Sequence, residues 1–98
     1  MTTGRKTNSH IFNTLWDMGK SIDSSELKKK EEVQKKFGKR LADLRTSKDI
    51  TQENLAFDLD VDRTYISYIE RGKRNPSLYM LWKIARTLKV RLADLTDF

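Results

Sequence analysis

Residues 62 to 76, DRTYISYIERGKRNP, place two tyrosines, two isoleucines and four basic residues within fifteen positions. Guanidinium, ammonium, hydroxyl and amide groups at that density can hydrogen-bond phosphate oxygens and the edges of bases. The stretch is either a core helix that is polar on one side or a surface built for contact. Covalent chemistry has little to work with elsewhere. The chain has no cysteine and a single histidine, His10, so it has neither a disulfide framework, a thiolate zinc site nor a Ser/His/Asp triad. No glycine-rich phosphate loop and no Gly-x-Ser-x-Gly elbow is present, and the expectation is a non-enzyme without cofactor or metal.

Charge adds to the contact reading. The chain has 98 residues, 37% hydrophobic and 35% charged, with a net charge of +6 and an isoelectric point near 9.7. That length supports one domain with a modest core, and the basic balance leans toward a polyanionic partner. Met1 to Arg40 carries ten basic and five acidic residues, whereas Leu41 to Phe98 carries ten and nine. Most of the excess lies in KKKEEVQKKFGKR, residues 28 to 40. This run reads equally as a solvated helix face with i,i+4 pairs or as a phosphate-contacting surface. In the nearly neutral second half, Arg63, Arg71, Lys73 and Arg74 against Glu70 form one local basic patch. No apolar run approaches membrane-spanning length, and HIFNTLWDM is broken by Asn13, Thr14 and Asp17, so the expected location is the cytoplasm.

These residues need elements to position them. Residues 1 to 9 are polar and patternless, and Ile11, Phe12, Leu15, Trp16 and Met18 suggest a short amphipathic helix before the GKSIDSS break. From Ser25 to about Ser47, Leu27, Val33, Phe37, Leu41 and Leu44 mark a helix that is secure from about Val33. Thr51 caps a short helix with Leu55, Ala56 and Leu59 inward, and Asp62 is placed as the cap of another, ended by Gly72. Ser77 caps a helix whose Leu78, Leu81, Ile84, Ala85 and Leu88 share a face, and a last turn lies around Leu92 to Leu95. No segment alternates like a strand. The expected fold is all-α, a compact bundle of about five short helices, with residues 1–31 an extension and residues 32–98 the domain. Two brief helices joined by a four-residue turn have the geometry of a helix-turn-helix.

From about Phe37 to Leu95 the chain resembles the phage repressor and Cro type of helix-turn-helix DNA-binding domain. TQENLA, VDRTYISYIERGKRNPSL and LWKIARTLKV carry the resemblance, in order and at the right spacing. DRTYISYIERGKRN more particularly resembles the small controller proteins of restriction-modification operons. The resemblance implies a recognition helix whose N-terminal residues meet base edges in the major groove. Arg63 and Thr64 are then base readers, the guanidinium matching guanine O6 and N7 and the threonine meeting a phosphate or a thymine methyl. Tyr65 and Ser67 are further readers, Tyr65 being read equally as packing on the helix below. Gln52 falls where the family places a phosphate-binding side chain, and Lys73, Arg74 and Asn75 look like further phosphate clamps. Glu70 matches a residue that pairs with an arginine of the first helix, here Arg45, so both are assigned to structure. Asp49 and Asp60 stand where the family commonly has glycine, which implies turns in a left-handed conformation that Asp tolerates at some cost.

One recognition helix covers few base pairs, so the expected regulator is a homodimer on a palindromic operator, with half-sites about 34 Å apart. Trp82, Leu92, Leu95 and Phe98 are its candidate interface, with an intramolecular core role the competing reading, strongest for Leu95. The alternative function is an antitoxin-type repressor that grips a protein partner through Ile11, Phe12, Leu15 and Trp16 of the extension. A nonspecific architectural DNA binder is a third reading.

Overall fold

The computed structural model describes residues 23–98, and among them five helices and no strand are found. α1 (Ser24–Ser47) starts at Asp23, whose carboxylate accepts the Glu26 N–H at 2.9 Å. That N–H, with the Ser25 hydroxyl, holds the Asp23 carboxyl below the usual carboxylate range. Phe37 and Leu41 bury against the other helices and Leu44 packs at their edge. The spacing of these three positions is the seam that fixes α1 to the bundle. Leu27 and Val33 are instead 45% and 53% exposed. The apolar stripe continues in sequence, but the N-terminal half of α1 runs past the core that would cover it. The helix passes the expected boundary between residues 31 and 32 without a break. The amphipathic segment expected around Ile11 to Met18 lies outside the described residues.

Thr51 caps α2 (Gln52–Leu59), its hydroxyl oxygen accepting the Asn54 N–H at 3.0 Å. α3 (Arg63–Glu70) follows after a short turn, with Ile66 and Ile69 fully buried and Val61 packed at the core edge. Asp62 has the extended backbone of a cap residue, yet its carboxylate makes no capping bond; its carbonyl accepts from Tyr65 and Ile66 instead. Ser77 caps α4 (Leu78–Leu88) through the Met80 N–H at 3.1 Å. α5 (Leu92–Leu95) is held at its start by Asp94, whose carboxylate accepts the Arg91 backbone N–H at 2.9 Å. That bond and the Arg91 guanidinium keep the Asp94 carboxyl low.

Leu41, Leu55, Leu59, Ile66, Ile69, Ile84, Leu88 and Leu95 are fully buried in one core drawn from all five helices. Ala56 is buried in the same core, so α2 presents only a methyl group where it packs. Gly38 has a similar role on α1. A Cβ at this position would fall onto the backbone carbonyls of Ile69 and Glu70, so its absence lets α1 lie directly against the end of α3.

Asp49 and Asp60 have φ of 57° and 58°, the left-handed turns implied by the resemblance, and Lys89 at 59° adds a third that sequence reading missed. At Asp60 and Lys89 the cap N–H and the next N–H reach back to carbonyls of the last helical turn, as Val61 does to Ala56 and Val90 to Ala85, both at 3.0 Å. Lysine has no side-chain bond to offset the steric cost of this conformation. Lys89→Gly is expected to raise stability by about 0.5–1 kcal/mol, the relieved strain less the backbone entropy of glycine. A urea midpoint below that of the parent would contradict the assignment.

Candidate nucleic-acid interface

The outer face of α3 opens with Arg63 and Thr64, both exposed. Thr64, Tyr65, Tyr68, Asp62 and Arg74 line a shallow cleft of about 190 Å³ along this face. Tyr65 and Ser67 are half-buried, and Tyr65 packs at the core edge, so its ring serves the packing role while its edge still borders the cleft. The Arg74 guanidinium lies over the Tyr65 ring at 5.4 Å, and Arg71 lies over Tyr68 at 4.9 Å. Stacking of this kind orients a cation without neutralising it. The tyrosines thus hold two arginines beside the helix.

Gly72, at φ 75°, turns the chain out of α3, and the Lys73 N–H returns to the Tyr68 carbonyl at 2.8 Å. This closure sets Lys73, Arg74 and Asn75, all exposed, in a loop immediately beyond the helix. Lys73 and Asn75 have no side-chain hydrogen bond among the described residues.

Arg45 and Glu70 meet as a two-point pair. Arg45 Nε donates to Glu70 Oε2 at 2.6 Å and Nη2 to Oε1 at 3.0 Å, while Nη1 donates to the Ile50 carbonyl at 2.7 Å. The two side chains are only 11% and 7% exposed. Gln52 joins them, its Nε2 donating to Glu70 Oε1 at 2.8 Å. Its Oε1 then accepts from Arg63 Nη1 at 3.2 Å. A chain of side chains therefore runs from α1 through the end of α3 and the start of α2 to the first residue of α3. Sequence reading assigned Gln52 to phosphate, with a plain exposed glutamine as the competing reading, and missed its links to Glu70 and Arg63. Such links depend on rotamers and on the crossing of three helices. One amide N–H of Gln52 remains for a further acceptor.

The four residues expected at a dimer interface divide. Leu95 is fully buried within the chain's own core, which corrects its assignment. As the last inward position of a one-turn helix, it closes the bundle under α4 and offers no surface. Leu92 is half-buried against the same core, whereas Trp82 is 45% and Phe98 52% exposed. Leu78 and Tyr79, absent from the expected set, are exposed beside Trp82, and Tyr79 stacks on its ring at 5.9 Å. Their positions on one helical face were the available signal; Leu78 was instead placed inward because its spacing also fits the core stripe. Ile11, Phe12, Leu15 and Trp16, which carry the antitoxin alternative, lie outside the described residues. Among the described residues no group of three or more His, Cys, Asp or Glu side chains could hold a metal, and no helix is long and apolar enough to cross a membrane.

Two short helices in the α2–turn–α3 arrangement, the second carrying exposed polar residues beside a cationic loop, define the helix-turn-helix class. The helix-turn-helix family model matches residues 41–95. The chain belongs to this family of DNA-binding transcriptional regulators, and within it to the restriction-modification controller type. It is 51% identical to the control protein C.BamHI of Bacillus amyloliquefaciens over 63% of this chain and 78% of that one. It is 46% identical to C.MunI of a Mycoplasma species, over 65% and 88% of the two chains. Among solved structures, the controller C.AhdI from Aeromonas hydrophila superposes with a TM-score of 0.61 at 46% identity, over 62% of this chain and 92% of that one. The controller C.Esp1396I, solved as a tetramer on its natural 35 base-pair operator, gives 0.60 at 35% identity, over 66% and 86%.

Proposed function

We propose that the protein binds a palindromic operator as a homodimer and controls transcription of a restriction-modification operon in the cytoplasm. The observation that carries this reading is the uncovered face of α3, where Arg63 and Thr64 stand exposed at the helix start with Lys73, Arg74 and Asn75 beyond its end. Residues 32–98 form the DNA-binding unit and residues 1–31 an extension to it. Arg63 and Thr64 read base edges, with Tyr65, which borders the cleft beside Thr64, and Ser67 as further readers. Gln52 at the start of α2, and Lys73, Arg74 and Asn75, hold phosphates and set the register of the helix in the groove. Arg45 and Glu70 keep the three helices in place and make no contact with DNA. The likeness to C.Esp1396I, which was solved on an operator, supports DNA as the partner. The exposed Trp82 ring, stacked on Tyr79, and the separately exposed Phe98 are apolar surfaces that support self-association.

Reading and clamping separate in binding experiments. Arg63→Ala is expected to cost about 1–3 kcal/mol on a palindrome selected from a random pool and much less on random duplex. Equal losses on both would refute the assignment of Arg63 as a reader. Lys73→Ala should weaken both duplexes alike and lower the salt dependence of log K by about one unit. Sedimentation of the parent at micromolar concentration should give a dimer that Trp82→Ala shifts toward monomer.

A further inference from the structure

The basic run at residues 28 to 40 has two readings, and four of its six lysines divide between them. Lys36 pairs with Glu32 at 3.8 Å and Lys39 with Asp43 at 3.0 Å, the i,i+4 pairs of a solvated face. Lys30 and Lys35 have no ion pair among the described residues. They line a groove of about 310 Å³ with Leu27, Glu31, Gln34, Gly72 and Lys73. One wall is therefore α1 and the other is the start of the clamp loop. The two walls are tied together, because Gln34 Nε2 donates to the Gly72 carbonyl at 3.0 Å. Gly72 also lies so close to Lys35 that a Cβ there would come within 2.7 Å of Lys35 Cγ.

We propose that Lys30 and Lys35 extend the phosphate track of Lys73, making the N-terminal half of α1 a second contact with the backbone of the bound duplex. This inference rests on the loop being a phosphate clamp, as proposed above. Lys30 and Lys35 stand beside Glu31 on the α1 wall and Lys73 on the other, so three lysines against one carboxylate leave the groove net positive. An acidic protein could satisfy the charge, but continuity with a DNA-facing loop favours the duplex. The contact lies outside the family match, which begins at residue 41.

The test compares two charge-matched double variants of the full chain, on the selected palindrome and on a random duplex of equal length. Lys30→Gln with Lys35→Gln keeps the aliphatic stems, including the one against Gly72, and should lower the salt dependence of log K by about two units on both duplexes. Lys36→Gln with Lys39→Gln should leave it unchanged. Restoring charge with arginine at 30 and 35 should restore the slope. An unchanged slope for the first pair overturns the inference, and so does an equal fall for the second pair, which would mark a diffuse field. Lys73→Ala, run alongside, separates the two proposals: a fall there with none at 30 and 35 overturns this inference alone, and no fall in either overturns the clamp as well. Because the chain has no cysteine, a single Lys30→Cys can carry an iron chelate. It should cleave the bound palindrome, and a chelate at Lys39→Cys should not.

Discussion

Glu70→Ala is expected to destabilise the folded chain by about 3–5 kcal/mol, because it leaves the Arg45 guanidinium buried without its partner. The Arg45 side chain is only 11% exposed, so water cannot take over the lost interaction. Its remaining bond, from Nη1 to the Ile50 carbonyl, satisfies one donor and no charge. The free energy at stake is a large fraction of what a domain of this size has. Urea denaturation of parent and variant measures it, and a loss below about 1 kcal/mol would place the pair among exposed ones. The cost of breaking the pair differs from the worth of having it. An Arg45→Met, Glu70→Leu double variant should recover most of the loss, since apolar side chains of similar size often replace a buried pair at little cost. The double variant should still bind DNA less well than the parent, because Gln52 and Arg63 lose the anchor that orients them.

Gly38→Ala is the second large effect, and its sign runs against helix propensity. In an exposed helix interior the change would add about 1 kcal/mol of stability. Here the new methyl meets backbone carbonyls of Ile69 and Glu70, which cannot rotate away as a side chain end would. α1 and α3 must separate, and overpacking of this kind costs about 1–3 kcal/mol. We expect a net loss of about 2 kcal/mol in urea unfolding. The displaced end of α3 also carries Glu70, so operator affinity should fall more than affinity for random duplex. A variant more stable than its parent would show that the helices do not approach as closely as described.

Much of the fold was legible because each short helix carries its own punctuation. Thr51, Ser77 and Gly72 are cap residues whose chemistry acts locally, and the helices start or stop beside them. The inward positions Phe37, Leu41, Leu55, Ile66, Ile69, Ile84 and Leu88 recur at helical spacing, and all seven are buried. Features set by tertiary geometry were harder to read. Val33 continues an apolar stripe in sequence, yet it is about half exposed among the described residues, because periodicity shows a face and not what covers it. Leu95 and Phe98 are both apolar residues near the chain end, and the packing of α5 on α4 and α1 decides that one is core and the other surface. Gly38 shows no turn signal, since its purpose lies in a helix about thirty residues away. At the site, the residue types along α3 and its loop could be read directly. The bond from Gln52 to Arg63 could not, because it needs the crossing of α2 and α3.

The order of links in that chain of side chains bears on how binding preference can change. Arg63 hangs from its last link, a single 3.2 Å bond at the exposed end, while Glu70 sits in the middle and receives three. Replacing Arg63 removes one outer bond and leaves the junction of the three helices intact. A protein built this way can exchange the side chain it presents to a base without rebuilding the frame, so new operator preferences are reachable one substitution at a time.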